Sequence, residues 1–426
     1  MQRSILKVYG CGTITIALLL CLLQVYGQTD TSLQVLKKQF NGYQQKNLPE
    51  KLFVHTDKSF YLAGETLWFK IYSVDGTYNK PLAISQVAYL EILDRNNNPV
   101  TQVKISLKNG SGSGSVYLNS SLSSGNYVVR AYTSWMKNYS ANLYFHKTIS
   151  LVNTTATTVQ EPVKQQANYS VQFYPEGGNL VEGIESKIGF QVLNEQGKGI
   201  DCRGVIYKGK DTLTNFKTLK SGIGSFQFKP MPGETYLTRV YLPNNRTITK
   251  ALPVAYQNGC VMQVSNQGNT QVLINVAVES KENAPVYLIA FNGQEAGFAE
   301  TGMLKNGMAQ FVVDRNKLPK GVTTFTVFNK SRQAVCERLY FNKSNNSAQT
   351  VVITPDKQKY GSRQKTLIDI NLPGLLNEKA DLSVAVYRLD SLEQPEEVNI
   401  ADYLYLTSQL KGKVESPGYY LNTTGN

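Results

Sequence analysis

Residues 49–76, PEKLFVHTDKSFYLAGETLWFKIYSVDG, decide the fold class that this chain is predicted to adopt. Leu52 and Val54 open an apolar run, a polar stretch with a glycine interrupts it, and from Leu67 onwards apolar and polar residues alternate. Alternation with a period of two is typical of a strand with one buried face. The stretch therefore predicts a strand, a turn and a second strand.

A weaker copy of this pattern lies near the other end of the chain, at residues 351–370. Asp356, Lys357 and Tyr360 are spaced as in the first stretch, and an apolar run that ends at Ile370 follows them. The two copies indicate a string of similar β-domains. A length of 426 residues agrees with this, since a chain of that size is expected to hold three or four domains.

Short β-type runs separated by Gly, Asn and Pro turns continue along the chain. About seven of them fall within roughly 100 residues of the first unit, which is typical of an antiparallel sandwich. We therefore predict an all-β fold of tandem antiparallel, Ig-like β-sandwiches with a short N-terminal helix. The predicted segments are a signal peptide (1–27), a helical segment (28–47), a first sandwich (48–153), a linker (154–168), a second sandwich (169–257), a third sandwich (258–345) and an incomplete, truncated β-domain (346–426).

Three of these segments carry finer predictions. Leu33, Leu36 and Phe40 recur at helical spacing, and we expect their helix to pack on the first sandwich. The composition of residues 109–115, NGSGSGS, predicts a turn. Residues 382–388, LSVAVYR, are predicted to form a strong strand of the last domain.

The first residues have the organisation of a signal peptide. Arg3 and Lys7 form a positive start, residues 14–23 form a short apolar run, and a cleavage position precedes Gln28. The run is shorter than an ordinary transmembrane helix, and no second long apolar run follows it. We therefore expect an exported chain without a transmembrane span after cleavage, periplasmic or associated with the outer membrane, for which a peripheral attachment stays open.

The charge of the chain argues against one class of partner. Removing Arg3 and Lys7 from the net charge of +13 leaves +11, but the basic residues are scattered and form no run of five. A nucleic-acid groove needs a concentrated basic surface, so no nucleic-acid partner is expected. Weak attraction to anionic polysaccharide or lipid headgroups stays open.

Three cysteines follow the predicted cleavage position, namely Cys202, Cys260 and Cys336. An odd and sparse set is not a disulfide framework, so the domains must be held by their apolar cores. Buried free thiols are the favoured state, and the sequence does not show which pair would bridge if one did.

Three stretches together resemble a known family. They are HTDKSFYLAGETLWFK at residues 55–70, GNYVVRAYTSWM at residues 125–136 and FYPEGGNL at residues 173–180. The first resembles the opening of the second macroglobulin-type (MG2) domain of the alpha-2-macroglobulin superfamily. All three are similar to elements of large exported proteins of Bacteroidota that carry such domains.

The resemblance implies macroglobulin-type sandwiches, a chain that continues beyond residue 426 in longer relatives, and an outer-membrane context. Protease-trapping macroglobulins that act covalently carry a Cys-Gly-Glu-Gln thioester segment. Here Cys260 stands in NGCVM, and neither Cys202 nor Cys336 is followed by Gly-Glu-Gln. Covalent trapping of a protease is therefore not expected.

The residues with catalytic chemistry have simpler structural explanations. His55 and His146 lie in predicted strands without a ligand at metal-binding spacing. Asp57 and Glu65 flank one turn and could hold a cation or act as acid and base, but Lys58 lies beside them and turn chemistry explains each residue. We expect a structural role for all of these residues.

Glycines and aromatic residues lead to the same conclusion. Gly177 and Gly178 lack the lysine and the strand–loop–helix context of a phosphate loop, and Gly112-Ser113-Gly114 lacks the context of a nucleophile elbow. The aromatic residues around Trp135 could form a sugar- or peptide-binding platform, but a role in the core is favoured; they are Tyr127, Tyr132, Tyr139 and Tyr144.

We therefore predict no catalytic, cofactor-binding or metal-binding residues, no cofactor and no enzymatic activity. The predicted function is that of a scaffold or partner-binding arm at the bacterial envelope, linked to an outer-membrane receptor system, with an envelope or outer-membrane protein as partner. Exposed strand edges would provide the binding mechanism, because an edge pairs with an extended chain by β-addition. The alternative function is endopeptidase inhibition without a thioester, with a protease as the partner.

Overall fold

A computed structural model describes residues 31–46, 48–155, 169–293, 295–343, 351–373, 380–387 and 398–422. The predicted signal peptide and all but two residues of the predicted linker lie outside these ranges. The fold is all-β: antiparallel sheets dominate, and a short helix, α1 (Thr31–Lys46), precedes the first strand. This confirms the predicted fold class.

The first sandwich consists of a three-stranded sheet of order β1-β3-β6 and a five-stranded sheet of order β2-β8-β7-β4-β5. Its strands are β1 (Glu50–Thr56), β2 (Phe60–Leu62), β3 (Thr66–Asp75), β4 (Val87–Leu93), β5 (Pro99–Ser106), β6 (Ser111–Tyr117), β7 (Gly125–Thr133) and β8 (Phe145–Val152). Apolar residues of both sheets, among them Leu67, Ile71, Leu90 and Ile92, meet in one core without solvent exposure. The alternation in the sequence places these side chains on the inner faces.

The NGSGSGS stretch is mostly strand β6, so its prediction as a turn is wrong. A Cβ on Gly112 would lie 2.4 Å from the carbonyl oxygen of Ser106, and one on Gly114 would lie 2.8 Å from Cδ1 of Ile105. Glycine is required because the neighbouring chain passes too close for a side chain. Composition alone indicated a turn because glycine is frequent both in turns and in strands that a neighbouring chain approaches closely.

The second sandwich pairs a sheet of order β14-β11-β9 with a sheet of order β13-β12-β15-β16, and a short parallel pair, β10-β17, lies beside them. Its strands are β9 (Ser170–Pro175), β10 (Leu180–Val181), β11 (Ser186–Leu193), β12 (Arg203–Lys208), β13 (Asp211–Lys217), β14 (Ile223–Phe228), β15 (Leu237–Tyr241), β16 (Thr247–Ala251) and β17 (Ala255–Tyr256). Four phenylalanine rings fill the space between the sheets: Phe173, Phe190, Phe216 and Phe226.

The third sandwich pairs a sheet of order β18-β19-β22 with a sheet of order β21-β20-β23-β24. Its strands are β18 (Cys260–Gln267), β19 (Gln271–Val278), β20 (Pro285–Asn292), β21 (Glu295–Met303), β22 (Met308–Asp314), β23 (Gly321–Phe328) and β24 (Ala334–Asn342). Phe311 and Phe325 lie at the centre of its core.

Helix α1 packs on the third sandwich, so its predicted packing on the first is wrong. Leu36 is buried against Tyr287 and Ile289 of β20, and the ring of Phe40 lies 4.9 Å from that of Phe291. Strand β20 is apolar on both faces, one of which faces the core of the third sandwich. The other face needs a cover, and the apolar side of α1 provides it.

The last part of the chain contains a small sheet and short helical segments. Strands β25 (Val352–Pro355) and β26 (Ile368–Asn371) form a two-stranded antiparallel sheet. Helix α2 (Ile400–Tyr405), a 3₁₀ turn (Thr407–Gln409) and helix α3 (Gly418–Asn422) follow.

The segment around α2 joins the first and third sandwiches. The ring of Tyr403 packs 5.6 Å from that of Phe53 and 5.3 Å from that of Phe145, inside the core of the first sandwich. On the other side, Oε1 of Gln409 accepts a hydrogen bond from the backbone N–H of Val322 at 2.7 Å.

The strand predicted at residues 382–388 is not observed, since residues 382–387 belong to no sheet and residue 388 lies outside the described ranges. The Oγ atom of Ser383 lies 2.6 Å from Nδ1 of His55 and 2.8 Å from the hydroxyl of Tyr72. These side-chain contacts hold the segment against the outer face of β1 and β3, in place of the backbone ladder that a strand needs.

Candidate functional site

The turn between β1 and β3 is built around one carboxylate. Oδ1 of Asp57 accepts hydrogen bonds from the hydroxyl of Tyr61 at 2.6 Å and from the backbone N–H of Trp68 at 3.0 Å. Burial of Tyr61, together with its bond to the carboxylate, raises the pKa of this phenol far above its usual range. The side chains of Asp57 and Tyr61 therefore stabilise the turn through these hydrogen bonds.

Glu65, the other carboxylate of this turn, is equally occupied. One of its oxygens accepts from Nζ of Lys58 at 2.7 Å and from the backbone N–H of Leu62 at 2.8 Å. Partial burial alone would raise the pKa of Glu65, but these two hydrogen bonds and the ammonium charge outweigh it and lower the pKa. The geometry therefore gives Glu65 a structural role.

The second copy of the motif forms the same turn, with the same hydrogen bonds. Oδ1 of Asp356 accepts from the hydroxyl of Tyr360 at 2.6 Å and from the backbone N–H of Leu367 at 3.0 Å. Gln364 takes the place of Glu65, and its Oε1 accepts from the backbone N–H of Gly361 at 2.9 Å. The sequence similarity of the two stretches therefore reflects the same local structure.

Backbone conformation and register extend this equivalence. Gly64 has a φ of +93°, and Arg363, at the equivalent position, also has a positive φ, of 59°. In the first hairpin Thr56 pairs with Phe69, and in the second Pro355 pairs with Ile368. The β25–β26 hairpin thus repeats the β1–β3 hairpin residue for residue.

The two hairpins differ in what covers them. On the inner face of the first, Leu52 and Val54 are fully buried and Phe69 and Ile71 are 5% and 0% exposed. The equivalent residues of the second are exposed: Val351 43%, Ile353 62%, Ile368 50% and Ile370 40%. We call these four residues the apolar hairpin face. The opposite face is mixed: Thr354, Asp369 and Asn371 share it with Val352, which is 41% exposed.

The turn next to the apolar hairpin face is basic. It carries Lys357, Lys359, Arg363 and Lys365, against the single carboxylate of Asp356. The turn of the first hairpin carries two carboxylates and one lysine. The second hairpin therefore has an exposed apolar face next to a positively charged turn. The sequence motif predicted the hairpin but gave no sign that its apolar face is exposed.

The two histidines lie on different sheets. His55, on β1, contacts Ser383 as described above, while Nδ1 of His146, on β8, lies 2.9 Å from the carbonyl oxygen of Tyr144. Burial lowers the pKa of His146. Within the described ranges there is no group of three His, Cys, Asp or Glu residues that could hold a metal ion.

The aromatic residues near Trp135 divide between core and surface. Tyr127 is buried, whereas Tyr132 is half-buried and stacks between Tyr89, at 5.4 Å, and Tyr144, at 4.7 Å. Trp135 is 37% exposed and donates from Nε1 to a backbone carbonyl. The expected role in the core therefore holds fully for Tyr127 alone among these residues.

The PEGG element forms a joint between the second and third sandwiches. Glu176 is buried, pairs with Nε of Arg338 at 2.6 Å and accepts from the backbone N–H of Val264 at 3.1 Å. The next residue, Gly177, also contacts the third sandwich, because Sγ of Cys336 lies 3.2 Å from the carbonyl oxygen of Gly177. Sequence reasoning excluded a phosphate loop here but did not find the joint.

Among the described residues, no helix is both long enough and apolar enough to cross a membrane. The sequence matches no family model and no curated protein.

Searches of solved structures return similar chains at low sequence identity. Trypsin-activated alpha-2-macroglobulin from Escherichia coli is 13% identical at a TM-score of 0.22, and the match covers 76% of this chain and 26% of that one. Methylamine-reacted alpha-2-macroglobulin from Salmonella is 11% identical at a TM-score of 0.21, covering 76% and 25%. Dimeric latent PorU from Porphyromonas gingivalis is 10% identical at a TM-score of 0.31, covering 68% and 33%. The chain thus spans only a quarter to a third of the length of these proteins.

Proposed function

We propose that this chain is an exported, non-enzymatic protein of macroglobulin type that acts as a scaffold or partner-binding arm at the bacterial envelope, linked to an outer-membrane receptor system. The observation that carries the proposal is the apolar hairpin face. It has the register and turn of a buried hairpin, yet its four aliphatic side chains are exposed.

The energetics favour a cover for this face, and we propose that the partner provides it. Fully burying an aliphatic side chain of this size contributes about 1.5–3 kcal/mol, and an isolated two-stranded hairpin is at best marginally stable in water. In the first sandwich the equivalent face packs on the five-stranded sheet. We therefore infer that the partner presents the apolar face of a β-sheet.

The charge of the turn specifies the partner further. Four basic side chains beside the apolar hairpin face favour a surface with acidic residues at its rim. The inferred partner is thus an envelope protein with an apolar sheet face bordered by carboxylates.

Site-specific photocrosslinking in cells tests this proposal. A photoreactive residue at Ile353 is expected to give one crosslinked partner, whereas the same residue at Thr354, on the opposite face, is expected to give little. The substitution Ile368→Asn should abolish the product, and Asn371→Ser, on the opposite face, should leave it unchanged.

Two results would overturn the proposal. Crosslinks from position 353 that end within the same chain would show that the hairpin is covered internally. A product confined to proteases, together with slower substrate cleavage when the purified chain is added, would favour endopeptidase inhibition instead.

A further inference from the structure

A groove of about 1590 Å³ lies on the second sandwich. Part of its floor is the outer face of the sheet β14-β11-β9, where Tyr174, Gly189 and Ser225 are cross-strand neighbours. Strand β24 of the third sandwich also lines the groove, as does helix α3 through Tyr419 and Tyr420. The groove is therefore assembled from three parts of the chain that are distant in sequence.

The floor of the groove contains a glycine that the packing of the sandwich does not require. On the inner face of the same sheet, a Cβ on Gly224 would lie 2.5 Å from the ring of Phe190, so the core excludes a side chain there. At Gly189, whose φ is not positive, the nearest atom that a Cβ would meet is the carbonyl oxygen of Tyr174, at an ordinary 3.6 Å. Glycine inside a strand weakens the strand and often marks a place where a ligand approaches closely.

The lining of the groove is basic. Four of the basic side chains that line it form no ion pair among the described residues: Lys187, Arg203, Lys217 and Lys220. Arg203, on β12, stands directly opposite Lys217, on β13. Like charges in directly opposite positions destabilise a sheet, so stability of the fold does not explain this pair.

Carboxylates offset little of this charge. Glu176 also lines the groove but is paired with Arg338, and Glu337 accepts a hydrogen bond from the hydroxyl of Thr326 at 3.3 Å. Asp201 lines an adjoining cavity. The four basic side chains are thus in excess, and an anionic ligand would neutralise them.

The tyrosines and the position of the groove favour a sugar chain over a peptide. Tyr174 is 49% exposed on the floor, and Nζ of Lys220 lies 3.9 Å from the centre of the Tyr419 ring. Aromatic rings pack against the apolar faces of sugar rings, and hydroxyl groups such as that of Ser225 bond to sugar hydroxyls. An extended peptide adds to the free edge of a sheet, whereas β11 on the floor is paired on both sides.

We propose that this groove binds an acidic polysaccharide. The carboxylates of the ligand contact the four basic side chains, and its sugar rings pass over Gly189 and Tyr174. The groove is a different surface from the apolar hairpin face, so this inference does not depend on the partner proposed above.

Isothermal titration calorimetry of the full chain with an oligogalacturonate tests the proposal. The wild-type protein should bind this acidic oligosaccharide but not a neutral malto-oligosaccharide of the same length, and its affinity should fall with increasing salt. The double substitution Lys217→Gln and Lys220→Gln should weaken binding about tenfold or more. Lys210→Gln, which is exposed in the same sandwich but does not line the groove, should leave the affinity unchanged.

Substitution of Gly189 separates binding from folding. Gly189→Ala should melt at the temperature of the wild type or above it, because a Cβ fits there, and should bind the oligogalacturonate more weakly. Gly189→Leu should abolish binding, and circular dichroism shows whether it folds. If it does not, Gly189→Ala still decides the question.

Three results would overturn the proposal. They are an absence of binding by the wild type, an unchanged affinity in a folded Gly189 variant, and tighter binding of polyglutamate than of the oligogalacturonate. The last of these would show that the groove takes an acidic peptide instead.

Discussion

The hydroxyl of Tyr61 lies 2.6 Å from Oδ1 of Asp57, and the same distance separates the hydroxyl of Tyr360 from Oδ1 of Asp356. Tyr61 is fully buried in a sandwich, whereas the second pair is in a hairpin whose apolar face is exposed. The same turn therefore forms with and without a covering sheet. Its geometry is a property of the local sequence, and its stability depends on the surroundings.

Removing the two phenolic hydroxyls should therefore have unequal effects. We expect Tyr61→Phe to lower the free energy of unfolding of the first sandwich by about 1–3 kcal/mol, because Asp57 loses a donor in a partly buried site. Tyr360→Phe should change stability by less than about 0.5 kcal/mol, because water replaces the lost hydroxyl. Urea unfolding of both variants tests this, and equal losses would contradict it.

Lys51 should make stability rise with pH in the alkaline range. Burial lowers the pKa of its ammonium group from 10.5 to about 8, although the charge of Asp75 opposes the change. Between these two values the unfolded chain keeps a proton that the folded chain has lost, so the free energy of unfolding increases with pH. The full increase is at most about 3 kcal/mol.

The comparison with Lys51→Met isolates this contribution from other titrations. Unfolding by urea at several pH values from 7 to 10.5 should show that wild type gains stability relative to the variant. A constant difference between the two proteins over this range would show that Lys51 titrates normally.

At the joint between the second and third sandwiches, alanine substitutions of two adjacent glycines should have different effects on stability. Gly177 and Gly178 both have positive φ, so alanine costs about 1–2 kcal/mol of backbone strain at either position. A Cβ on Gly177 would in addition lie 2.6 Å from Sγ of Cys336, whereas a Cβ on Gly178 would meet nothing within 4 Å. Gly177→Ala should therefore cost about 1–3 kcal/mol more.

Hydrogen exchange locates this effect. The backbone N–H of Val264 donates a hydrogen bond to Glu176, and its hydrogen should exchange faster in Gly177→Ala than in Gly178→Ala. Similar exchange and similar stability in the two variants would show that the joint tolerates the added methyl group.

Helix α1 should protect the third sandwich rather than the first. Leu36→Ala removes a side chain that is buried against Tyr287 and Ile289, and should cost about 2 kcal/mol. Hydrogen exchange should increase in β20 and β21 and stay unchanged in β1 to β8. Lys38→Ala, on the exposed side of the helix, is the control. Faster exchange in the first sandwich would contradict this placement of the helix.

The sequence by itself determined the local elements. Alternating apolar residues produced β1 and β3, the spacing of Leu33, Leu36 and Phe40 produced a helix, and the Asp–Tyr motif produced the same turn twice. These features depend on contacts between residues close in the chain, which periodicity and turn chemistry report directly. The all-β fold class follows from them.

Only the tertiary structure decided how these elements meet. It placed α1 on β20, made NGSGSGS a strand because close backbones there exclude side chains, and kept residues 382–387 out of the sheets. It also left the apolar hairpin face exposed. Each outcome depends on contacts between residues far apart in the chain, and no local pattern encodes which apolar surface will find a cover.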